Sequence, residues 1–288
     1  MAAEKQLKEQ LGEISVYVNL ITRLFEVTAT MIDGQEAMVE THYGPGSMYI
    51  VLLRLQREVD SQSSLLLNGF MEARHIDKKI KDIRKEQDTV FKNIQTLTEP
   101  LVEPRELDKI LGELASICEK AHLFDRFLRI RAKDKLELLK VQYAANSNNI
   151  SPPETDEISG LSKMSKLNEI IQGFISNFVT LGDYFVSKSI QKAIRIDSLE
   201  ESALTSSCVD DTFYILKACL QQGCATRDAE CLAALINSLS RTIEIDYLNV
   251  LQKKLSTAFA DKEGKDSNRV LFMVFPWIIR RPPLTILI

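Results

Sequence analysis

Apolar residues recur at spacings of four and three along most of the chain, the pattern of helices that bury one face. Over residues 47–74 they fall at Met48, Leu52, Leu55, Val59, Leu66 and Phe70, with Gln62 standing where another is expected. Arg54, Arg57, Glu58 and Asp60 occupy the opposite, solvated face. Gly44-Pro45-Gly46 just before this stretch predicts a turn, because glycine supplies positive φ and proline fixes its own. An earlier helix is expected over roughly residues 4–40, bent near Asp33-Gly34. Another starts at Glu103-Pro104-Arg105-Glu106, where proline in the first turn forgoes no hydrogen bond and glutamate meets the positive end of the helix dipole. Its stripe runs Leu107, Leu111, Leu114, Cys118, Ala121, Phe124 and Leu128.

Asn146-Ser147-Asn148-Asn149 and Ser151-Pro152-Pro153 break the pattern. It resumes with Leu161, Met164, Leu167, Ile171, Phe174, Phe178, Leu181 and Phe185. A further helix is expected after Leu204-Thr205-Ser206-Ser207, with a hydroxyl cap, Asp210 and Asp211 in its first turns, and Val209, Phe213, Leu216 and Leu220 as its buried face. Gln221-Gln222-Gly223 is expected to end it. The last stripe is Leu232, Leu235, Leu239, Ile243 and Val250, interrupted by Asp246 and Asn249. No Asn-Gly or Asp-Gly turn lies between alternating strands. The expectation is an all-α fold of elongated antiparallel helical bundles: a first bundle segment at 1–145, a linker or loop at 146–160, a second bundle segment at 161–260, and a divergent, poorly ordered tail at 261–288.

Composition narrows the function. The 288 residues carry 36 basic and 40 acidic side chains, a net charge of −4, which argues against nucleic acid as a partner. Hydrophobic residues make up 45% and charged ones 26%, the balance of a folded globular chain. The odd count of 5 cysteines fits a reducing compartment. Residues 1–10 have no apolar core and are not expected to act as a secretory signal. No run reaches the roughly 18–20 apolar residues of a membrane span. The nearest, residues 270–279, is cut short by Arg280-Arg281 and Pro282-Pro283.

Few residues have the spacing of reactive chemistry. Cys219, Cys224 and Cys231 are too widely spaced for a structural zinc site, and Cys118 and Cys208 lie apart from them. His42, His75 and His122 fall on separate elements without a nucleophile frame. Asp210-Asp211 lacks the further aspartate, one turn on, of a magnesium-holding cluster. Gly44-Pro45-Gly46 lacks the Lys-Ser or Lys-Thr of a phosphate loop. No catalytic, cofactor-binding or metal residue is therefore assigned, and no cofactor is expected. Two basic stretches stand out. Residues 74–85 hold Arg74, Lys78, Lys79, Lys81, Arg84 and Lys85; residues 126–140 hold Arg126, Arg129, Arg131, Lys133, Lys135 and Lys140. They read either as solvated faces laced with acids or as contacts for an acidic partner or an anionic lipid surface. With side faces rich in interleaved charge and no large apolar patch in the pattern, partners are expected to be held weakly.

Three strings carry a resemblance. Val39-Glu40-Thr41-His42-Tyr43-Gly44-Pro45-Gly46, Glu103-Pro104-Arg105-Glu106-Leu107-Asp108 and Leu204-Thr205-Ser206-Ser207-Cys208-Val209-Asp210-Asp211-Thr212-Phe213-Tyr214-Ile215 resemble, in order and spacing, the central part of the subunit 4 family of the conserved oligomeric Golgi complex. Weaker similarity runs through residues 123–130, Asp183-Tyr184-Phe185 and Glu230-Cys231-Leu232, so the resemblance covers roughly residues 7–259. It implies a non-enzymatic subunit, or a fragment of one, in a tether built of helical rods that captures vesicles in retrograde intra-Golgi transport. It also implies peripheral association with the cytosolic face of the Golgi membrane, the other tether subunits as partners, and no cofactor. The resemblance implies that assembly and SNARE contacts lie largely in the family's N-terminal coiled coil, which this sequence is not expected to contain, so it is expected to hold fewer partners than a full-length member and SNARE machinery only where that region is present. Two other classes stay open: an all-α enzyme whose site assembles from distant residues, and a membrane-associated helical protein anchored by residues 270–288.

Overall fold

The computed structural model describes residues 16–92, 100–145, 165–198 and 206–260. Helices joined by short connections account for them, and there is no strand among the described residues. The chain divides into two compact units, residues 1–237 and 238–288.

In the first unit, α1 (Val16–Tyr43) buries Ile21, Phe25, Thr28, Ile32 and Val39 and runs through Asp33-Gly34 without interruption. The expected turn follows, with Gly44 and Gly46 at φ of 94° and 84°. It reverses the chain into α2 (Met48–Ala73). Met48, Leu52, Val59 and Phe70 face inward as their spacing predicts. Leu55 and Leu66 are only half-buried, while Gln56, Ser63 and Leu67 take inner positions. Because α2 packs against helices on more than one side, its buried face is broader than a single stripe.

Gly46 shows why the turn needs glycine. A Cβ there would lie 2.3 Å from the Leu139 backbone nitrogen and 2.8 Å from the Lys135 carbonyl, in a backbone conformation that other residues rarely adopt. Gly46→Ala is expected to lower stability by about 2 kcal/mol or more. Gly34 lies mid-helix with open space around it, so Gly34→Ala should raise stability by about 0.5–1 kcal/mol. Thermal melts of the two variants should move in opposite directions.

Residues 74–85, read above only as a basic stretch, contain a helix break and the start of α3 (Ile76–Lys92). His75 adopts φ of 51°, ending α2, and Ile76, Ile80 and Ile83 are buried. The long α4 (Pro104–Ala145) has 42 residues and spans about 63 Å. Its whole expected stripe, from Leu107 to Leu128, is buried.

The next helix, α5 (Lys166–Arg195), is capped by Ser165, whose hydroxyl accepts from the Asn168 N–H at 3.2 Å. Asp60 of α2 accepts from the Lys166 and Leu167 N–H groups at 3.1 and 3.3 Å, so a neighbouring helix supplies further caps. Leu167, Ile171, Phe174, Phe178, Leu181 and Phe185 are buried as expected. Leu161 and Met164 lie outside the described residues.

In α6 (Ser207–Ala225) the buried set is Cys208, Thr212, Leu216, Cys219 and Gly223. The expected inward face is therefore turned: Phe213 is 60% exposed, and Val209 and Leu220 are half-buried. Gly223 lies inside the helix instead of ending it, and a Cβ there would meet Leu235 at 2.6 Å. Small residues line the tight contact, so the bulky ones point elsewhere. The Ser206 side chain makes no cap; Asp197 accepts from the Cys208 N–H at 3.0 Å instead.

Successive long helices reverse direction. α2 meets α4 at Arg74–Glu113, α4 meets α5 at Asp125–Asn168, and α5 packs against α6. α1 and α4 run alongside each other in the same sense, joined from Phe25–Phe124 to Glu40–Lys135. Next comes α7 (Ala229–Thr242), with Cys231 and Leu235 buried. In the second unit a π-helical turn (Ile243–Tyr247) leads into α8 (Leu248–Ala260). The turn shifts the phase of the last stripe: Tyr247 is buried, whereas Ile243 and Val250 are half-buried. Residues 261–288, with Trp277, lie outside the described residues.

Candidate interaction surface

Of the charges read as candidate contact stretches, Arg74, Lys79, Arg131 and Lys135 are engaged between helices of the bundle. Arg131 pairs with Asp33 and, at 2.8 Å, with Glu36, both on α1. Its guanidinium also lies 5.6 Å from the centre of the Phe127 ring. Lys135 meets Glu36 at 2.5 Å and Glu40 at 3.5 Å. Although burial alone would lower the Lys135 pKa, these two carboxylates raise it above its ordinary value. Glu40 in turn accepts from the Gly46 N–H at 2.9 Å and the Met48 N–H at 3.4 Å. One carboxylate thus ties the turn, the start of α2 and α4 together. In the other stretch, Arg74 makes a two-pronged contact with Glu113 at 2.6 and 2.8 Å, and Lys79 meets Glu106 at 2.9 Å.

Among the described residues the most buried acid is Glu86 on α3. It accepts from the Tyr184 hydroxyl at 2.7 Å and the Leu101 N–H at 3.2 Å, and pairs with Lys188 at 2.5 Å. Burial works to raise its pKa, but the Lys188 amine, the Tyr184 hydroxyl and the Leu101 N–H outweigh it and hold the carboxyl below its ordinary value. Burial and the facing carboxylate push the Tyr184 hydroxyl well up. Every donor aimed at Glu86 stabilises the charged form, so this is a structural clamp between α3 and α5 and lacks the raised pKa of a proton donor.

The residues weighed for reactive chemistry are not brought into such a role. Cys118 and Cys219 are buried, and burial pushes both thiols up to about 12; Cys231 is raised for the same reason. Buried thiols of this kind are inert. Cys208 is also buried, whereas Cys224 is exposed, so Cys219 and Cys224 do not share a face. His42 and His75 are exposed and His122 is half-buried, each on a different element. Asp210 and Asp211 are exposed at the start of α6. No group of three or more His, Cys, Asp or Glu side chains is arranged to hold a metal among the described residues. No helix among them is long and apolar enough to cross a membrane.

The unexpected feature is apolar exposure. On α1, Leu20, Val27, Met31 and Met38 are 43%, 50%, 52% and 53% exposed. Phe213 and Tyr214 also face outward on α6. The expectation of side faces without a large apolar patch is corrected here. No stripe was assigned to α1 from its spacing, and this helix carries exposed apolar residues beside its buried face.

The three strings behind the resemblance lie where helices begin and meet: the α1–α2 turn held by Glu40, the start of α4, and the start of α6. Residues 1–255 match the family model described as COG4 transport protein, middle alpha-helical bundle. The chain belongs to this family. It is similar to conserved oligomeric Golgi complex subunit 4 of mouse, with 31% identity over 254 residues covering 88% of this chain and 31% of that one. The human subunit 4 shows the same identity and coverage. The fruit-fly subunit 4 is 24% identical over 264 residues, covering 84% of this chain and 33% of that one. The chain therefore spans about a third of the length of these curated relatives. No solved structure matches it.

Proposed function

We propose that this COG4-type bundle is a non-enzymatic scaffold segment of a Golgi vesicle-tethering complex, acting in retrograde intra-Golgi transport. In this reading it sits at the cytosolic face of the Golgi membrane, peripherally and through the complex, with the other tether subunits as its partners. The family match over residues 1–255 carries the reading. The chemistry of the described residues agrees with it: ion pairs join helix to helix, and Glu86 is held in its charged form.

Affinity purification of the tagged chain from animal cells at physiological salt tests it. Recovery of other tether subunits well above a tagged unrelated bundle is the expected result. Absence of all of them, with the chain folded and soluble, contradicts it.

A further inference from the structure

The start of α5 is pinned between α2 and α4. Asp60 of α2 holds the Lys166 and Leu167 N–H groups, and Asp125 of α4 accepts from the Asn168 amide at 3.0 Å. From there α5 runs toward the far end of α2, where Phe174 meets Phe70 and Asn177 meets Met71. It therefore fills the groove between α2 and α4 on one side of Asp60 and Asp125 only. On the other side α2 and α4 continue together, since Gly46, just before α2, lies against Leu139 and Lys135 of α4. From Asp125 to Ala145, where α4 ends, this stretch is about 30 Å long.

Residues 146–164, outside the described ones, join the two ends of that stretch: they leave α4 at Ala145 and return to Ser165, about 30 Å back along the same helix. Fully extended they reach about 65 Å, so length alone permits either a path in the groove or a bow into solvent. The side chains decide between the two. At helical spacing from Asp60 and Asp125, the groove is lined by Gln56, Arg57 and Leu53 of α2 and by Arg129, Ala132 and Leu136 of α4. Leu53 and Leu136 are half-buried. Arg57, Arg129, Lys133 and Lys140 are exposed on or beside these rows, with the acids Glu58 and Glu137 next to them. Arg129 pairs with Asp125, Lys140 pairs with Glu137, and Glu58 accepts from the Gln62 amide. Asp134 falls on the opposite side of α4 from Leu136. Arg57 and Lys133 pair with no acid among the described residues. The connection brings Ile158, Leu161 and Met164 at intervals of 3, and Glu154, Asp156 and Glu157 against one cation, Lys163.

We propose that residues 154–164 of this chain occupy the groove between α2 and α4, in line with α5. Ile158, Leu161 and Met164 pack against Leu53 and Leu136, and the acids of 154–157 face Arg57 and Lys133. Both ends of the connection are fixed at the ends of the groove, so its effective concentration there is on the order of millimolar. A second copy of the chain, or a separate protein, competes only at such concentrations. The cations of residues 126–140 that face the groove are then answered from within the chain, and this side of the bundle offers no open basic face to an anionic membrane.

The test uses the full chain with a photo-crosslinking amino acid at Leu136, and at Leu53 as a second site should the first disturb folding. Links to residues 154–164 at the mass of a single chain are the expected result from either site. Hydrogen exchange read by mass spectrometry should find the amides of residues 158–164 at least tenfold slower than in a free peptide of the same sequence. Arg57→Glu/Lys133→Glu alters exposed residues, so the fold should persist while most of that protection is lost. Adding Glu154→Lys/Glu157→Lys to that variant should restore it. Exchange at the free-peptide rate in the wild type, or links that miss residues 154–164, overturns the assignment. Links at a doubled mass give the groove to a second copy and overturn it as well. Binding of the wild type to phosphatidylserine vesicles, abolished by Arg57→Glu/Lys133→Glu, gives the groove to a membrane and likewise overturns it.

Discussion

Leu111→Asp is expected to lower unfolding free energy by about 4 kcal/mol or more. Leu111 is fully buried near the start of the α4 stripe, between Leu107 and Leu114, which are equally buried. An aspartate there either enters a low-dielectric seam charged and unpaired or takes up a proton at a comparable cost. Globular domains have only about 5–15 kcal/mol in hand, so most of the fold's margin would be lost. Leu111→Ala separates the charge from the missing volume: the cavity alone should cost about 2–5 kcal/mol. Chemical denaturation of the two variants should rank them in that order. An unchanged midpoint for Leu111→Asp would mean that α4 does not bury this face.

The second large effect concerns Glu86, and it depends on pH. Glu86→Ala leaves the Lys188 amine, the Tyr184 hydroxyl and the Leu101 N–H without their shared acceptor, and should cost about 3–5 kcal/mol at neutral pH. Glu86→Gln keeps the shape but not the charge, and should cost less. A carboxyl held below its ordinary value stabilises the fold above that value, 4.5, and ceases to do so as pH falls through its folded pKa. The gap between wild type and Glu86→Gln should therefore be full at neutral pH and close below about pH 4.5. Asp60 works the other way, since burial raises its pKa. Comparison at Glu86 alone cancels that contribution. A gap that stays constant down to pH 3 would show that the Glu86 charge does not hold α3 to α5.

How much the sequence revealed follows from how many neighbours each helix has. The stripe of α4 and that of α5 from Leu167 onward lie inside as their periodicity predicts. α6 was misread because its spacing favours Phe213 and Leu220, whereas the contact with Leu235 at Gly223 demands small residues on the buried side. The small residues of the buried side, Thr212, Cys219 and Gly223, give no hydropathy signal for close packing. The break at His75 was hidden by the charges around it, although Ile76, Ile80 and Ile83 already had helical spacing. The Glu86 clamp left no local trace, because Glu86, Leu101, Tyr184 and Lys188 are brought together only by tertiary packing. The two apolar faces of α1 were not read from the sequence, since periodicity cannot say which of two adjacent stripes faces the core.

This bundle is expected to serve as the middle segment of a tether subunit. The most direct measurement replaces the matching segment of mouse subunit 4 with residues 1–255 of this chain, in cells that lack their own subunit 4. Recovery of the remaining tether subunits with the tagged chimera is then read by quantitative mass spectrometry. Recovery close to that of the unaltered mouse subunit, lost when the chimera carries Leu111→Asp, is the predicted result. A chimera that is stable and abundant yet recovers none of them would contradict the claim.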